Sequence, residues 1–153
     1  MYEIKRIPDK LFISSKTTLT IPDIPDYAQH MMSKLMMETI RLGLKVTGPA
    51  EFHYFGSDGD LDTLFDMRIC IPIEGRADTP TTFEYYESEP FNCASYEYHG
   101  NVYGVGDKWK ALVESVMSDN VPLVPQSREV YRRWMDANSN KNITELQVGL
   151  EVV

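Results

Sequence analysis

Phe65-Asp66-Met67-Arg68-Ile69-Cys70-Ile71-Pro72-Ile73 is the stretch from which the fold can be read. Phe65, Met67, Ile69 and Ile71 alternate with Asp66, Arg68 and Cys70, so the apolar set falls on one side of a β-strand. The strand is expected over Leu64 to Ile73, with Pro72 and Gly75 closing it. Upstream, Gly56-Ser57-Asp58-Gly59-Asp60 reads as a loop, and Glu51 to Phe55 as a shorter strand. Earlier still, Ile24, Ala28, Met31, Met32, Leu35 and Leu42 recur at helical period, with Met36 and Ile40 widening the stripe. This spacing predicts a helix from Pro25 to Leu42, opened by Asp23 or Asp26 and closed by Gly43. Tyr2 to Thr20 reads as extended chain with a turn near Pro8-Asp9.

The same succession recurs downstream. After a strand over Thr81 to Tyr86 comes another over Cys93 to His99, with Ala94, Tyr96 and Tyr98 on one face. The glycine-rich turn Gly100 to Gly106 is not a phosphate loop, because no Lys-Ser/Thr follows its last glycine. Trp109, Leu112, Val113 and Val116 form the stripe of a second helix over Asp107 to Ser118. Strands over Ser127 to Trp134 and Thr144 to Val153 follow, separated by the polar loop Asp136 to Asn142.

The order is therefore β-α-β-β, a connecting strand, and β-α-β-β again, with pseudo-repeats at about 1–75 and 90–153. Phe52-His53-Tyr54 corresponds to Glu129-Val130-Tyr131, and Asp66 to Ile69 corresponds to Glu145 to Val148. From Tyr54 to Asp66 is 12 residues and from Tyr131 to Glu145 is 14. The fold class expected is α+β: duplicated β-α-β-β units in one domain, forming one antiparallel sheet with both helices on one side. The seam between such halves is a natural ligand cleft.

Composition narrows the function. The chain has 153 residues, 42% hydrophobic and 25% charged, which suits a domain with its own core. No apolar run reaches membrane-spanning length, and the N-terminus mixes charges with proline, so a cytoplasmic protein with no membrane partner is expected. The net charge is −8 and the one dense basic cluster is Arg128, Arg132 and Arg133, which disfavours direct nucleic-acid binding. Cys70 and Cys93 lack metal-ligand spacing, and His53 and His99 lack ligating partners. Asp58 to Asp62 lacks the glutamate and flanking helices of a calcium loop. No metal and no cofactor are expected, and both cysteines read as reduced core thiols.

Gly48-Pro49 with the strand Glu51 to Phe55, the stretch Phe65 to Ile73, the turn Tyr98-His99-Gly100-Asn101-Val102-Tyr103, and Pro125 to Tyr131 together resemble the GyrI-like effector-binding domains of bacteria. The turn resembles that family's His-Gly-Pro-Tyr, with Asn101 and Val102 departing from it. The resemblance spans nearly the whole chain. It implies a stand-alone relative of the effector domains of multidrug-responsive transcription regulators and of a gyrase-modulating protein. It also implies that Glu129 is the pocket carboxylate.

By strand alternation Glu129 and Tyr131 share a face opposite Val130, and that face is expected to point into the cleft if Val130 packs toward the helices. A carboxylate among aromatic rings attracts a planar cation. The candidate ligand-binding residues are Glu129, Tyr131, Phe52, Tyr54, Tyr96, Tyr98, Tyr103 and Trp134. The leading expectation is binding of small hydrophobic, cationic aromatic compounds, for drug sensing or sequestration. Two alternatives stand beside it. One is a hydrolase of strained electrophiles with Glu129 as general base and Tyr131 as proton donor. The other is a protein-interaction modulator of a larger enzyme such as gyrase, with a protein partner or a homodimer. The chain leaves no room for a helix-turn-helix and is expected not to be a complete transcription regulator in itself, which leaves open a partnership with one.

Overall fold

The structure is a computed structural model that describes residues 1–151. Its elements run β1 Glu3–Ile7, β2 Leu11–Leu19, α1 Ile24–Arg41, β3 Lys45–Val46, β4 Glu51–Phe55, β5 Phe65–Glu74, β6 Glu84–Glu87, β7 Phe91–His99, α2 Val105–Ser118, β8 Leu123–Arg133 and β9 Ile143–Leu150. All strand pairs are antiparallel. The strands form one sheet in the order β1-β7-β9-β8-β4-β5-β2-β6, with β3 paired to β5.

This order reads as a duplication. The unit β2-α1-β4-β5 supplies neighbours β4-β5-β2, and β7-α2-β8-β9 supplies β8-β9-β7 in the matching order. β4 and β8 meet at the seam, with Phe52 opposite Glu129 and Glu51 opposite Val130. α1 packs on β2 and β5, and α2 packs on β7 and β9, both on the same side of the sheet. Leu35 of α1 and Leu112 and Val116 of α2 are fully buried there, against Ile13, Met67 and Ile69 in one half and Ala94 and Leu146 in the other.

Both helices end by the same device. Gly43, at φ 67°, follows α1; its N–H reaches Ile40 O at 3.0 Å and the Leu44 N–H reaches Thr39 O at 3.1 Å. Asn120, at φ 59°, follows α2; its N–H reaches Met117 O at 3.0 Å and the Val121 N–H reaches Val116 O at 3.3 Å. This crossed pair of bonds closes the last carbonyls and demands a left-handed residue, for which glycine and asparagine are the best choices.

Three readings of the sequence are corrected here. Tyr2 to Thr20 is extended with a break at Pro8-Asp9 as read, but its two parts do not both belong to the first repeat: β1 pairs with β7 of the second half, whereas β2 pairs with β5 and β6 of the first. β5 runs one residue past the expected Ile73, to Glu74 directly before Gly75, so Pro72 lies inside the strand, opposite Phe12 and with its carbonyl bonded to the Thr47 N–H at 3.0 Å. Asp23 and Asp26 do not cap α1 through their side chains as expected; Asp23 instead accepts a bond from the Thr20 hydroxyl at 3.0 Å. The last two residues of the expected final strand lie outside the described residues.

The division of β1 and β2 shapes the whole sheet. In the strand order they are six places apart, about 29 Å if the sheet were flat. Only Pro8-Asp9-Lys10 joins them, a reach of about 14 Å. The sheet must therefore curl, and the β2–β6 ladder extends into the linkers on either side. Lys10 O accepts from the Ser88 N–H at 2.9 Å, and the Ser88 Oγ accepts from the Lys10 N–H at 3.0 Å. The curl encloses the face without helices. Phe12, His53, Cys70, Cys93, Arg128 and Glu145 all project to that side and are all buried. Both cysteines are free thiols, and burial pushes both above their ordinary pKa, Cys93 to about 11.

Candidate functional site

The seam strands carry the site. Cross-strand register sets Phe52 beside Glu129 and Tyr54 beside Ser127, and on the other flank Leu146 beside Glu129 and Thr144 beside Tyr131. Leu146 belongs to the core under α2, so Glu129 and Tyr131 face the helices. Val130, opposite Glu51 and Glu145, faces the curled, helix-free side instead. The condition set for the Glu129 face, that Val130 packs toward the helices, is thus not met. Alternation fixes that the two neighbours part, but both faces of this sheet are buried, so an apolar Val130 did not mark the helix side.

Glu129 is 7% exposed. Its Oε1 accepts the Tyr54 hydroxyl at 2.5 Å and the Tyr131 hydroxyl at 2.8 Å, and its Oε2 accepts the Trp109 indole N–H at 2.8 Å. Burial, and then the Glu129 charge, hold Tyr54 and Tyr131 well above the ordinary tyrosine pKa. Both phenols therefore keep their protons and donate. Rings enclose the carboxylate: Phe52 meets Tyr131 edge-on at 4.7 Å between centroids, Tyr131 meets Trp134 at 5.8 Å, and Tyr54 meets Phe65 at 5.9 Å. Among the described residues no lysine, arginine or histidine forms an ion pair with Glu129. Arg128 points to the opposite face. The site is thus a buried carboxylate whose three donors are all neutral, and its charge has no counter-charge in the described protein.

Of the eight residues expected at the site, the structure brings together Glu129, Tyr131, Phe52 and Tyr54, with Trp134, 49% exposed, at the rim. Tyr98 is not with them. It lies buried in the second core, and its hydroxyl donates to Asn101 O at 2.7 Å beneath Gly100 and Gly104, whose lack of side chains leaves it room. Tyr96 also packs in that second core, and Tyr103 is 74% exposed on the turn before α2. Trp109 was read only as part of an apolar stripe. A tryptophan in the first turns of a buried helix needs a partner for its indole N–H, and that need was the available signal. Two shallow depressions, one at Met117 and 120–123 and one between Met1 and Tyr96, do not include Glu129. No cluster of three or more His, Cys, Asp or Glu able to hold a metal ion occurs among the described residues. No helix among them is long and apolar enough to cross a membrane.

Comparison with known proteins gives a consistent picture. The family model described as GyrI-like small molecule binding domain matches residues 1–151. No curated protein matches the sequence. Among solved structures, SAV2435 bound to tetraphenylphosphonium superposes with a TM-score of 0.72 at 16% identity, covering 99% of this chain and 94% of its own. The C-terminal domain of EcmrR gives 0.84 at 16% identity, covering 100% and 98%. A hydrolase encoded by lin2189 from Listeria innocua gives 0.63 at 14% identity, covering 98% and 91%. At these identities the likeness is one of fold.

Proposed function

The chain belongs to the GyrI-like small molecule binding domain family, and from that premise we propose that it binds lipophilic, aromatic cations over the β4–β8 seam. The observation that carries this reading is Glu129: a carboxylate 7% exposed, bonded to Tyr54, Tyr131 and Trp109 and to no cation. A buried charge normally has a partner of opposite sign. Here the ligand supplies it. Phe52, Tyr131 and Trp134 offer ring faces and edges to such a ligand, each cation–π contact being worth about 0.5–2 kcal/mol. Because α1 sits over β2 and β5 and α2 over β7 and β9, the approach to the seam lies between the helices. The fold neighbour bound to tetraphenylphosphonium agrees with this class of ligand.

Hydrolysis with Glu129 as general base fits the geometry less well. Three of the carboxylate's roughly four acceptor positions are taken by protein donors, which leaves only about one for an activated water. The test of the binding reading is a titration of the protein with tetraphenylphosphonium and with the neutral triphenylphosphine oxide, followed by quenching of Trp109 and Trp134. Saturable binding of the cation with at least tenfold weaker binding of the neutral compound is expected. Equal affinity for both would overturn the role given to the charge. Multiple turnovers on ester-like or strained electrophiles, lost in Glu129→Gln, would convert the reading to the enzyme.

A further inference from the structure

The curled face away from the helices holds a second buried charge, of opposite sign, with no hydrogen-bonded partner among the described residues. Arg128 is 1% exposed, and its Nε, Nη1 and Nη2 have no hydrogen-bond partner among the described residues. Its guanidinium lies 4.0 Å over the Phe91 ring, which shields one side of its plane. Across the ladders its neighbours are His53 on β4 and Gln147 on β9.

The two buried carboxylates of this face are already engaged. Glu51 accepts from Lys10 at 3.1 Å and contacts His53 at 2.9 Å. Glu145 accepts from Arg132 at 2.6 Å, Gln147 at 2.7 Å, Ser95 at 2.8 Å and Lys5 at 3.4 Å. Neither gives an oxygen to Arg128. A buried guanidinium needs acceptors for its five N–H groups and a counter-charge. Burial presses Arg128 below the ordinary arginine pKa, yet a guanidinium stays protonated at any pH a folded protein meets.

We propose that this interior binds a small inorganic anion, a halide in ordinary salt solutions, on the Arg128 guanidinium. The near-complete burial of Arg128 limits the size of the occupant, to a monatomic ion rather than an organic acid. Gln147 Oε1, also without a donor, accepts from a water that completes the anion's shell on the β9 side. The site is separate from Glu129, on the opposite face of the same strand, so it neither requires nor supports the cation reading.

The test is calorimetric unfolding at constant ionic strength, with sodium gluconate replaced stepwise by sodium chloride or bromide. The wild type should show a saturable rise in Tm of several degrees, as expected for a ligand of the folded state alone. Arg128→Met, which keeps length and removes charge, should show none. Bromide-soaked crystals should give an anomalous peak within hydrogen-bonding distance of the guanidinium. This second measurement decides the matter if Arg128→Met does not fold. A wild-type Tm indifferent to halide, or a peak absent with only water at Arg128, would overturn the proposal.

Discussion

Replacing His53 by glutamine should remove the His53 share of the stability that the wild type loses as pH falls below 6.5. The His53 side chain is fully buried, with Nε2 2.9 Å from Glu51 Oε1 and Nδ1 3.3 Å from the Tyr86 hydroxyl. A neutral ring satisfies both contacts, donating to Glu51 and accepting from Tyr86. Burial is the main reason its pKa falls from 6.5 to about 4; the Glu51 bond opposes that fall, and the Arg128 charge assists it. The folded pKa thus lies below the unfolded one. Above 6.5 neither state takes the proton and the contribution is complete. As pH falls from 6.5 toward 4 the unfolded chain binds a proton that the folded chain refuses. Stability then declines by about 1.4 kcal/mol per pH unit, reaching a loss of roughly 2.5 kcal/mol by about pH 4.5. That is a large part of the roughly 5–15 kcal/mol available to a domain. Urea unfolding followed by tryptophan fluorescence, at several pH values for wild type and His53→Gln, reads the difference. Glutamine can keep a bond to Glu51 without titrating, so the two curves should converge as pH falls. Parallel curves for the two proteins between about pH 7.5 and 4.5 would refute the reasoning.

Other consequences concern local devices. Gly43→Ala should lower stability by about 1–2 kcal/mol and Asn120→Gly should raise it by about 0.5–1 kcal/mol, since both positions hold left-handed backbone; thermal melts check both signs. Gly100→Ala should cost about 1–3 kcal/mol, because a Cβ there would sit 2.5 Å from the Tyr98 hydroxyl, and the loss should shrink when combined with Tyr98→Phe. Cys70 and Cys93, buried and with raised pKa, should react with a thiol reagent only at the rate of unfolding; fast labelling of the native protein would contradict their placement.

Much of the architecture was legible in the chain because it is written in local periods. The alternation at Phe65 to Ile73 and the stripes of the two helices needed no tertiary information. The duplication was likewise visible as an order of elements, and Gly43 announced the end of α1. What escaped was set by contacts distant in sequence. Nothing local distinguishes a hairpin at Pro8-Asp9 from a crossing that sends β1 to β7 and β2 to β5. The curl that follows from it buries Glu51, His53, Arg128 and Glu145, residues whose alternation with apolar neighbours reads as a solvent face. The same burial of both faces made Val130 a misleading guide to the direction of Glu129. Glu129, Tyr131, Phe52 and Tyr54 could be grouped because they are repeat mates on the seam strands. Trp109 could not be joined to them without knowing that α2 lies beside β8.

The account rests on Glu129 acting as the counter-charge for a cationic ligand, and isothermal titration of wild type and Glu129→Gln with tetraphenylphosphonium tests it most directly. Glutamine keeps the size of the side chain and an oxygen for Tyr54 and Tyr131, so circular dichroism should show an intact fold. The account predicts binding weakened by about 1–3 kcal/mol, roughly 5- to 150-fold in Kd, with little change in affinity for triphenylphosphine oxide. Equal affinity of the folded variant and the wild type for the cation would contradict it.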